Sequence, residues 1–345
     1  MIRVGINGFG RIGRAFFRIN LKNKLYKIEA INDIDPDLNN IAYLLKHDST
    51  YGKIDEKVTI IGTKIQVGDK NVSVYNEKQI SNIPWENHDI DVVIDSSGIY
   101  HNVIDSKNLI GRVKKVIITH SPKDGIDITL MNGVNEKKYN PNNHHIISSS
   151  ICDANAVSPF IKVIEEFCGI ENGNITTLHP WLSYQNLLDG NLKSISSPGH
   201  YWTDYALGRS SLNTMIPKET SLMSALSRVF KNINSKINAM SFRTPTSIVS
   251  IADGTFLLKE VVSKNDVIEI LRNFSKKYPS VIYLNENPLV SVDFLKSEFA
   301  SNIDLRWLET NGKLLKFVIW YDNEWGYASV TYNLVKLILH GNSKI

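Results

Sequence analysis

A cysteine at the start of a helix is the first candidate for chemistry in this chain. Cys152 lies in the stretch Ser148 to Asn155, SSSICDAN, and is followed by apolar positions Val157, Phe160, Ile161, Ile164, Phe167 and Cys168. Their three- and four-residue spacing predicts an amphipathic helix with one buried face, with Cys152 in or before its first turn. Unpaired backbone N–H groups and the positive end of the helix dipole at such a place favour a thiolate, and hence a nucleophile. The ordinary alternative is a small core residue.

A second constellation opens the chain. Ile2 to Asn7 reads as a buried strand, and Gly8, Gly10 and Gly13 then make G-x-G-x-x-G ahead of a helix starting near Arg11. The next strand, KIEAIND, ends at Asp33, twenty residues beyond Gly13. Glycines there permit a tight turn and a close backbone approach to a pyrophosphate, while the carboxylate can bond a ribose 2′-hydroxyl. Strand, turn, helix, strand and acid in register predict a dinucleotide site made by Gly8, Phe9, Gly10, Arg11, Ile12, Gly13 and Asp33. An acid at residue 33 repels a 2′-phosphate, so NAD is preferred over NADP.

These two features need a scaffold. Helix around Asn39 to Lys46, strand-like VTII, KIQV and NVSVY, then DVVIDSSG, KKVIITHS and HHIISSS continue the alternation up to Cys152. The first 151 residues therefore read as a Rossmann-type, doubly wound parallel sheet whose carboxyl-edge loops, including Ser97 and Thr119, face a ligand. After Cys152 come longer alternating runs, INAMSFR, SIVSIADGTFLLKEVV and NIDLRWLET-NG-KLLKFVIW, with Asn311-Gly312 as a hairpin signal. The expected architecture is α/β: a nucleotide domain over 1–151, completed by a carboxyl-terminal helix within 324–345, and an α+β catalytic domain over 152–323 with a largely antiparallel sheet. The irregular stretch Gly190 to Pro217 is long enough to be functional or to lie at an interface.

Composition bounds the rest. The chain has 345 residues, 42% of them apolar and 21% charged, with a net charge of +4 and two cysteines. Two domains are expected at that length. No basic block marks a nucleic-acid partner, and a disulfide framework is not indicated. No run approaches the roughly 18 apolar residues of a membrane span, and a strand from residue 2 leaves no room for a signal peptide, so a reducing cytoplasm is expected. Adjacent His144 and His145 point to opposite faces of a strand, so no metal site is read.

The motifs VGINGFGRIGR (Val4 to Arg14), LLKHDSTYGK (Leu44 to Lys53), HHIIS (His144 to Ser148), TTLH (Thr176 to His179) and WYDNEWGY (Trp320 to Tyr327) occur in this order. On them the chain resembles the phosphorylating glyceraldehyde-3-phosphate dehydrogenase family over nearly its full length. The resemblance implies a homotetramer, with the long loop near a neighbouring subunit, and NAD as cofactor. It implies Cys152 as nucleophile, His179 as its base, and Asn323 as holder of the nicotinamide carboxamide with Tyr327 nearby. It also implies Arg243 and Thr220 at phosphate sites.

Departures are concentrated around the substrate. The family's S-C-T-T-N is here Ile151, Cys152, Asp153, Ala154 and Asn155, and its S-Y-T-N-D-Q becomes PWLSYQ, with Leu182 and Tyr184 replacing a threonine and an aspartate. The family's loop arginine becomes Leu207, with Arg209 as a nearby substitute. A charge-assisted hydrogen bond to phosphate contributes about 1.5–3 kcal/mol, so losing two or three weakens phosphate binding by orders of magnitude. The expected function is NAD-dependent oxidation of a small, phosphorylated aldehyde through a thioester on Cys152, with phosphorolysis impaired and Asp153 orienting water. Trp181, Leu182, Tyr184, Tyr201, Trp202 and Tyr205 suggest a different aldehyde, such as erythrose 4-phosphate released as a free acid. An inactive NAD-binding relative with a structural role is the non-enzymatic alternative.

Overall fold

The computed structural model describes residues 1–191 and 204–340. Tyr201 and Trp202 lie outside the described residues. Two units divide the chain, 1–151 with 327–345, and 152–326.

The first unit begins with β1 (Ile2–Asn7), whose side chains are buried on both faces, as a central parallel strand requires. In chain order follow α1 (Arg11–Asn23), β2 (Tyr26–Asn32), α2 (Leu38–Lys46), β3 (Val58–Ile61), β4 (Lys64–Val67), β5 (Lys70–Tyr75), β6 (Val92–Asp95), α3 (Tyr100–Asp105), β7 (Lys115–Ile118), β8 (Ile128–Thr129) and β9 (Ile146–Ser148). They form one nine-stranded sheet in the order β3-β4-β5-β2-β1-β6-β7-β9-β8. The β2-β1-β6-β7-β9 core is parallel, with the strand order reversing between β1 and β6, while β3, β4 and β5 make an antiparallel meander at one edge. Trp85, Val93, Val103, Leu109, Val116 and Ile118 form a buried cluster against this sheet.

The second unit starts with α4 (Cys152–Phe167) and β10 (Ile170–Pro180), then β11 (Ile216–Lys218), α5 (Leu222–Leu226), β12 (Ile237–Thr244), β13 (Ser250–Leu258), α6 (Lys264–Lys277), β14 (Ile282–Asn285), β15 (Ser301–Asp304), β16 (Glu309–Asn311) and β17 (Leu314–Tyr321). Its sheet runs β11-β12-β10-β13-β17-β15-β14, with β16 paired to β17. Antiparallel pairing dominates, although β10 with β12 and β14 with β15 are parallel. The centre is aromatic: the rings of Phe160 on α4 and Phe317 on β17 are 4.4 Å apart, and those of Phe256 and Phe317 are 4.8 Å apart. Gly254 makes room for them, because a Cβ there would lie 2.1 Å from the Phe317 ring. Burying each such ring stabilises the unit by about 2–3 kcal/mol.

Two local expectations shift. Phe167, read as part of the buried face of α4, is 47% exposed because the helix ends there and the chain turns away. Asn311 belongs to β16 and pairs with Leu314, so the hairpin turn is Gly312-Lys313, with Gly312 at φ +59°. The last helix, α7 (Trp325–His340), lies within the expected 324–345. From Tyr327 onward α7 packs in the first unit, where the Tyr26 hydroxyl donates to the Tyr332 carbonyl and the Tyr332 hydroxyl donates to Asn20. Among the described residues no helix is long and apolar enough to cross a membrane.

Candidate active site

In the first unit, Gly8 sits at φ +85° where β1 hands over to α1, and a Cβ there would lie 2.5 Å from the Ser97 amide nitrogen. Gly10 is the N-cap of α1 and offers no side-chain acceptor, and the first turn carries no acid, which leaves the positive helix end suited to an anion. Asp33 follows β2 directly; its carboxylate accepts from the Phe9 N–H at 2.7 Å and from the Asp35 N–H at 2.9 Å. A cavity of about 130 Å³ is lined by Gly8, Gly10, Asn32, Asp33, Ser97 and Ile99, among others. Ser97 donates to buried Asp95, whose carboxyl is pushed up to about 6 by burial. Thr119 bonds the Asp95 carbonyl through both its N–H and its hydroxyl. The remaining predicted residues of this turn work indirectly. The Phe9 side chain is buried against Phe17, so only its backbone reaches the site, and the Arg11 guanidinium pairs with Asp48. Ile12 and Gly13 belong to α1, where a Cβ on Gly13 would strike the Gly8 carbonyl at 2.3 Å.

The segment leading to the cysteine is tightly held. The Ser148 hydroxyl donates to the His120 carbonyl, and the Ser150 N–H donates to the Ser148 hydroxyl while Ser150 adopts φ +64°. Tyr327 is 5% exposed; its hydroxyl meets that of Ser149 at 2.9 Å and donates to the Ser150 carbonyl at 2.8 Å. Tyr327 thus fixes the backbone that precedes Cys152.

In the second unit Cys152 is the first residue of α4. Its Sγ lies 3.7 Å from His179 Nε2 and donates to Asp153 Oδ1 at 3.3 Å, and the three donor atoms all fall within 4.8 Å of one another. His179 stands near the end of β10 and is buried; its Nδ1 lies 2.8 Å from the Pro180 carbonyl. A carbonyl only accepts, so Nδ1 carries the proton and Nε2 presents a lone pair to the sulfur. Burial, reinforced by the charge of Arg243, pushes the imidazole down to about 4.

The thiolate expected at this helix start is not what the surroundings favour. Burial first, then the negative charge of Asp153 and its hydrogen bond to the sulfur, hold the Cys152 thiol well above the ordinary value, and the opposing pull of Arg243 is smaller. The helix end is one contribution among several, and a carboxylate 3.3 Å away outweighs it. Asp153 is itself 7% exposed and is held from behind by the Tyr321 hydroxyl at 2.9 Å. Cys168 is buried, donates to the Ile164 carbonyl, and is raised to about 11.

Register sets the basic side of the site. His179 on β10 pairs with Arg243 on β12, and Arg243 pairs with Ile216 on β11, so these side chains share one face of the sheet. The buried Arg243 donates to the Tyr184 hydroxyl at 3.0 Å. Two residues predicted at phosphate sites have other partners here, and among the described residues the Thr220 O–H stays free to donate. The Thr220 hydroxyl oxygen accepts from the Leu222 N–H at the start of α5, and Arg209 makes an exposed ion pair with Asp189 at 3.1 Å. Asn323 follows Asp322, whose carboxylate caps α7 through the Glu324 and Trp325 N–H groups, and Asn323 keeps a buried Oδ1 with no hydrogen-bond partner. A buried amide oxygen without a partner among the described residues is left able to accept from a water or a ligand. Two participants went unread in the sequence. Tyr321 sits inside the WYDNEWGY motif but is aimed at Asp153 only by the β17 register, and Lys218 lies on a strand too short for alternation to show its face.

The profile of the glyceraldehyde 3-phosphate dehydrogenase NAD binding domain matches residues 2–103, and that of the carboxyl-terminal domain matches residues 151–323. The chain belongs to the glyceraldehyde-3-phosphate dehydrogenase family. Among its relatives are glyceraldehyde-3-phosphate dehydrogenase of Geobacillus stearothermophilus, 36% identical over 98% of both chains, and glyceraldehyde-3-phosphate dehydrogenase 1 of Bacillus subtilis, 35% identical over the same shares. The Chlamydia muridarum glyceraldehyde-3-phosphate dehydrogenase is 34% identical over 99% of this chain and all of its own. The family places this chain among NAD-dependent oxidoreductases that act on a small-molecule aldehyde phosphate, and the Gly8 turn and Asp33 of the first unit fit that cofactor.

Proposed function

We propose that an aldehyde is oxidised while bound covalently to Cys152 and that water, not phosphate, releases the acid. The observation that carries the reading is the thiol between two groups able to take its proton, His179 Nε2 and Asp153 Oδ1. His179 is neutral throughout the working range, and its Nδ1–H is fixed on the Pro180 carbonyl, so Nε2 receives the thiol proton as sulfur adds to the carbonyl carbon. The resulting imidazolium, and the N–H groups at the start of α4, stabilise the oxyanion of the thiohemiacetal. Bound NAD supplies the hydride acceptor. Gly8, Gly10 and Asp33 would hold its dinucleotide part, Asp33 would select it over the 2′-phosphorylated form, and Asn323, as the family resemblance implies, would take the carboxamide. Loss of hydride leaves a thioester on Cys152.

Attack by phosphate is disfavoured by the residues next to the sulfur. Ile151 offers no hydroxyl, and Asp153 brings negative charge to within 3.3 Å of Sγ. The same carboxylate, oriented by Tyr321, can accept a proton from an incoming water. Tetrameric assembly and a cytoplasmic site of action complete the proposal on the strength of the family resemblance.

Steady-state formation of reduced cofactor from a panel of phosphorylated aldehydes, with and without inorganic phosphate, tests both halves. Cys152→Ser should abolish turnover, and free acid should accumulate at the same rate in either buffer. Strict dependence on phosphate would refute the hydrolytic step, and activity surviving in Cys152→Ser would refute the covalent one.

A further inference from the structure

Two cations stand on one face of the second sheet with no carboxylate bound to either. Lys218 on the edge strand β11 pairs with Ser241 on β12, two residues from Arg243, and paired residues of neighbouring strands project to the same side. Ser241 in turn bonds Thr177 and Arg243 pairs with His179, so Lys218, Arg243 and His179 belong to one surface. Among the described residues Arg243 meets only the neutral Tyr184 hydroxyl, and its buried Nε has no partner. Lys218 is partly buried and makes no ion pair or hydrogen bond among the described residues. The charge of Asp153 acts on Lys218, yet its Oδ1 serves the thiol and the Tyr321 hydroxyl. Glu219 follows Lys218, is exposed, and acts on it less than Asp153 does.

A buried guanidinium normally carries a counterion, because desolvation without one is costly. Two unneutralised cations beside a nucleophile mark a place where an incoming ligand brings the negative charge.

We propose that Lys218 joins Arg243 in seating an anionic group of the aldehyde substrate, with Tyr184 orienting the guanidinium. The proposal rests on the reading of Cys152 as nucleophile. It gives Lys218 the charge that Leu182 and Tyr184 do not supply. Burial and the neighbouring Arg243 lower the lysine's pKa, and an anion between the two would reverse that.

The test compares wild type, Lys218→Met and Lys218→Arg. First, kcat/KM is measured for glyceraldehyde 3-phosphate, erythrose 4-phosphate and succinic semialdehyde against the neutral glyceraldehyde and butanal. The wild type should favour at least one anionic aldehyde by a hundredfold or more, Lys218→Met should reduce that ratio at least tenfold through KM, and Lys218→Arg should keep most of it. Phosphate and carboxylate sources are separated by which aldehyde shows the effect. Second, broadening of the inorganic phosphate 31P resonance is followed on titration with each protein, which needs no turnover. Weaker broadening with Lys218→Met, even if no aldehyde is oxidised, supports the seat while counting against the nucleophile. An unchanged anionic-to-neutral ratio, or equal phosphate broadening in wild type and Lys218→Met, overturns the proposal.

Discussion

Replacing Asp153 with Asn removes a formal charge whose oxygen lies 3.3 Å from the Cys152 sulfur while nearly keeping the side chain's shape. Two unit charges at that separation repel by about 5 kcal/mol at an effective dielectric of about 20, and by about 1.3 kcal/mol in bulk water. Cys152 is only partly buried, so an intermediate relief of about 3 kcal/mol is used, which multiplies the thiolate population at neutral pH roughly 150-fold. A less basic sulfur is also a weaker nucleophile, with a Brønsted slope of about 0.4–0.5, which takes back roughly tenfold. The net expectation is that Asp153→Asn reacts roughly ten to twenty times faster than wild type with an aromatic disulfide reagent at pH 7. Absorbance of the released thiolate follows the reaction, and Cys168, raised to about 11, stays silent. A rate equal to or below that of the wild type would refute the claim that this carboxylate keeps the thiol protonated.

Acid should loosen the fold through two histidines, His120 and His179, each pushed by burial from 6.5 down to about 4. The unfolded chain protonates first, so the stability each contributes is complete above pH 6.5 and is lost as pH falls toward 4, roughly 3 kcal/mol apiece. Asp95, raised to about 6, works in the opposite sense over nearly the same range and offsets about one of them; thermal melts between pH 7 and 4.5 should show a net fall that His179→Gln blunts, and a flat profile would contradict it. Gly8→Ala forces a Cβ to 2.5 Å from the Ser97 nitrogen at φ +85°, so it should cost about 1–3 kcal/mol and weaken NAD at least tenfold by calorimetry; retained affinity would argue against the cradle. Asn323→Ala deletes a buried oxygen that has no donor, so melting should move by less than about 1 kcal/mol while turnover with NAD drops; a large loss of stability with normal turnover would assign it to the fold.

Much of this molecule could be read from its residues because the signals are local. The glycine turn, the strand ending at Asp33, the helix opening at Cys152 and the alternating runs of the second sheet each carry their period within ten or so residues. What escaped reading depends on distant partners. A helix-end argument at Cys152 sees only the backbone, whereas burial and Asp153, aimed by Tyr321 from 168 residues further along, push the other way. Lys218 became visible only when the β11 to β12 register placed it beside Arg243. Arg209, read as a nearby substitute for the loop arginine, makes an exposed ion pair with Asp189 instead.

The hydroxyls of Tyr327 and Tyr332 impose an order on biosynthesis. A ribosome delivers Tyr332 306 residues after Tyr26, whose hydroxyl it receives, and Tyr327 178 residues after Ser149, which it braces. Until α7 clears the exit tunnel, the amino-terminal half lacks its closing element and the loop bearing the thiol is unset. The thiol of an unfolded chain keeps its ordinary acidity, and the raised value belongs to the finished fold.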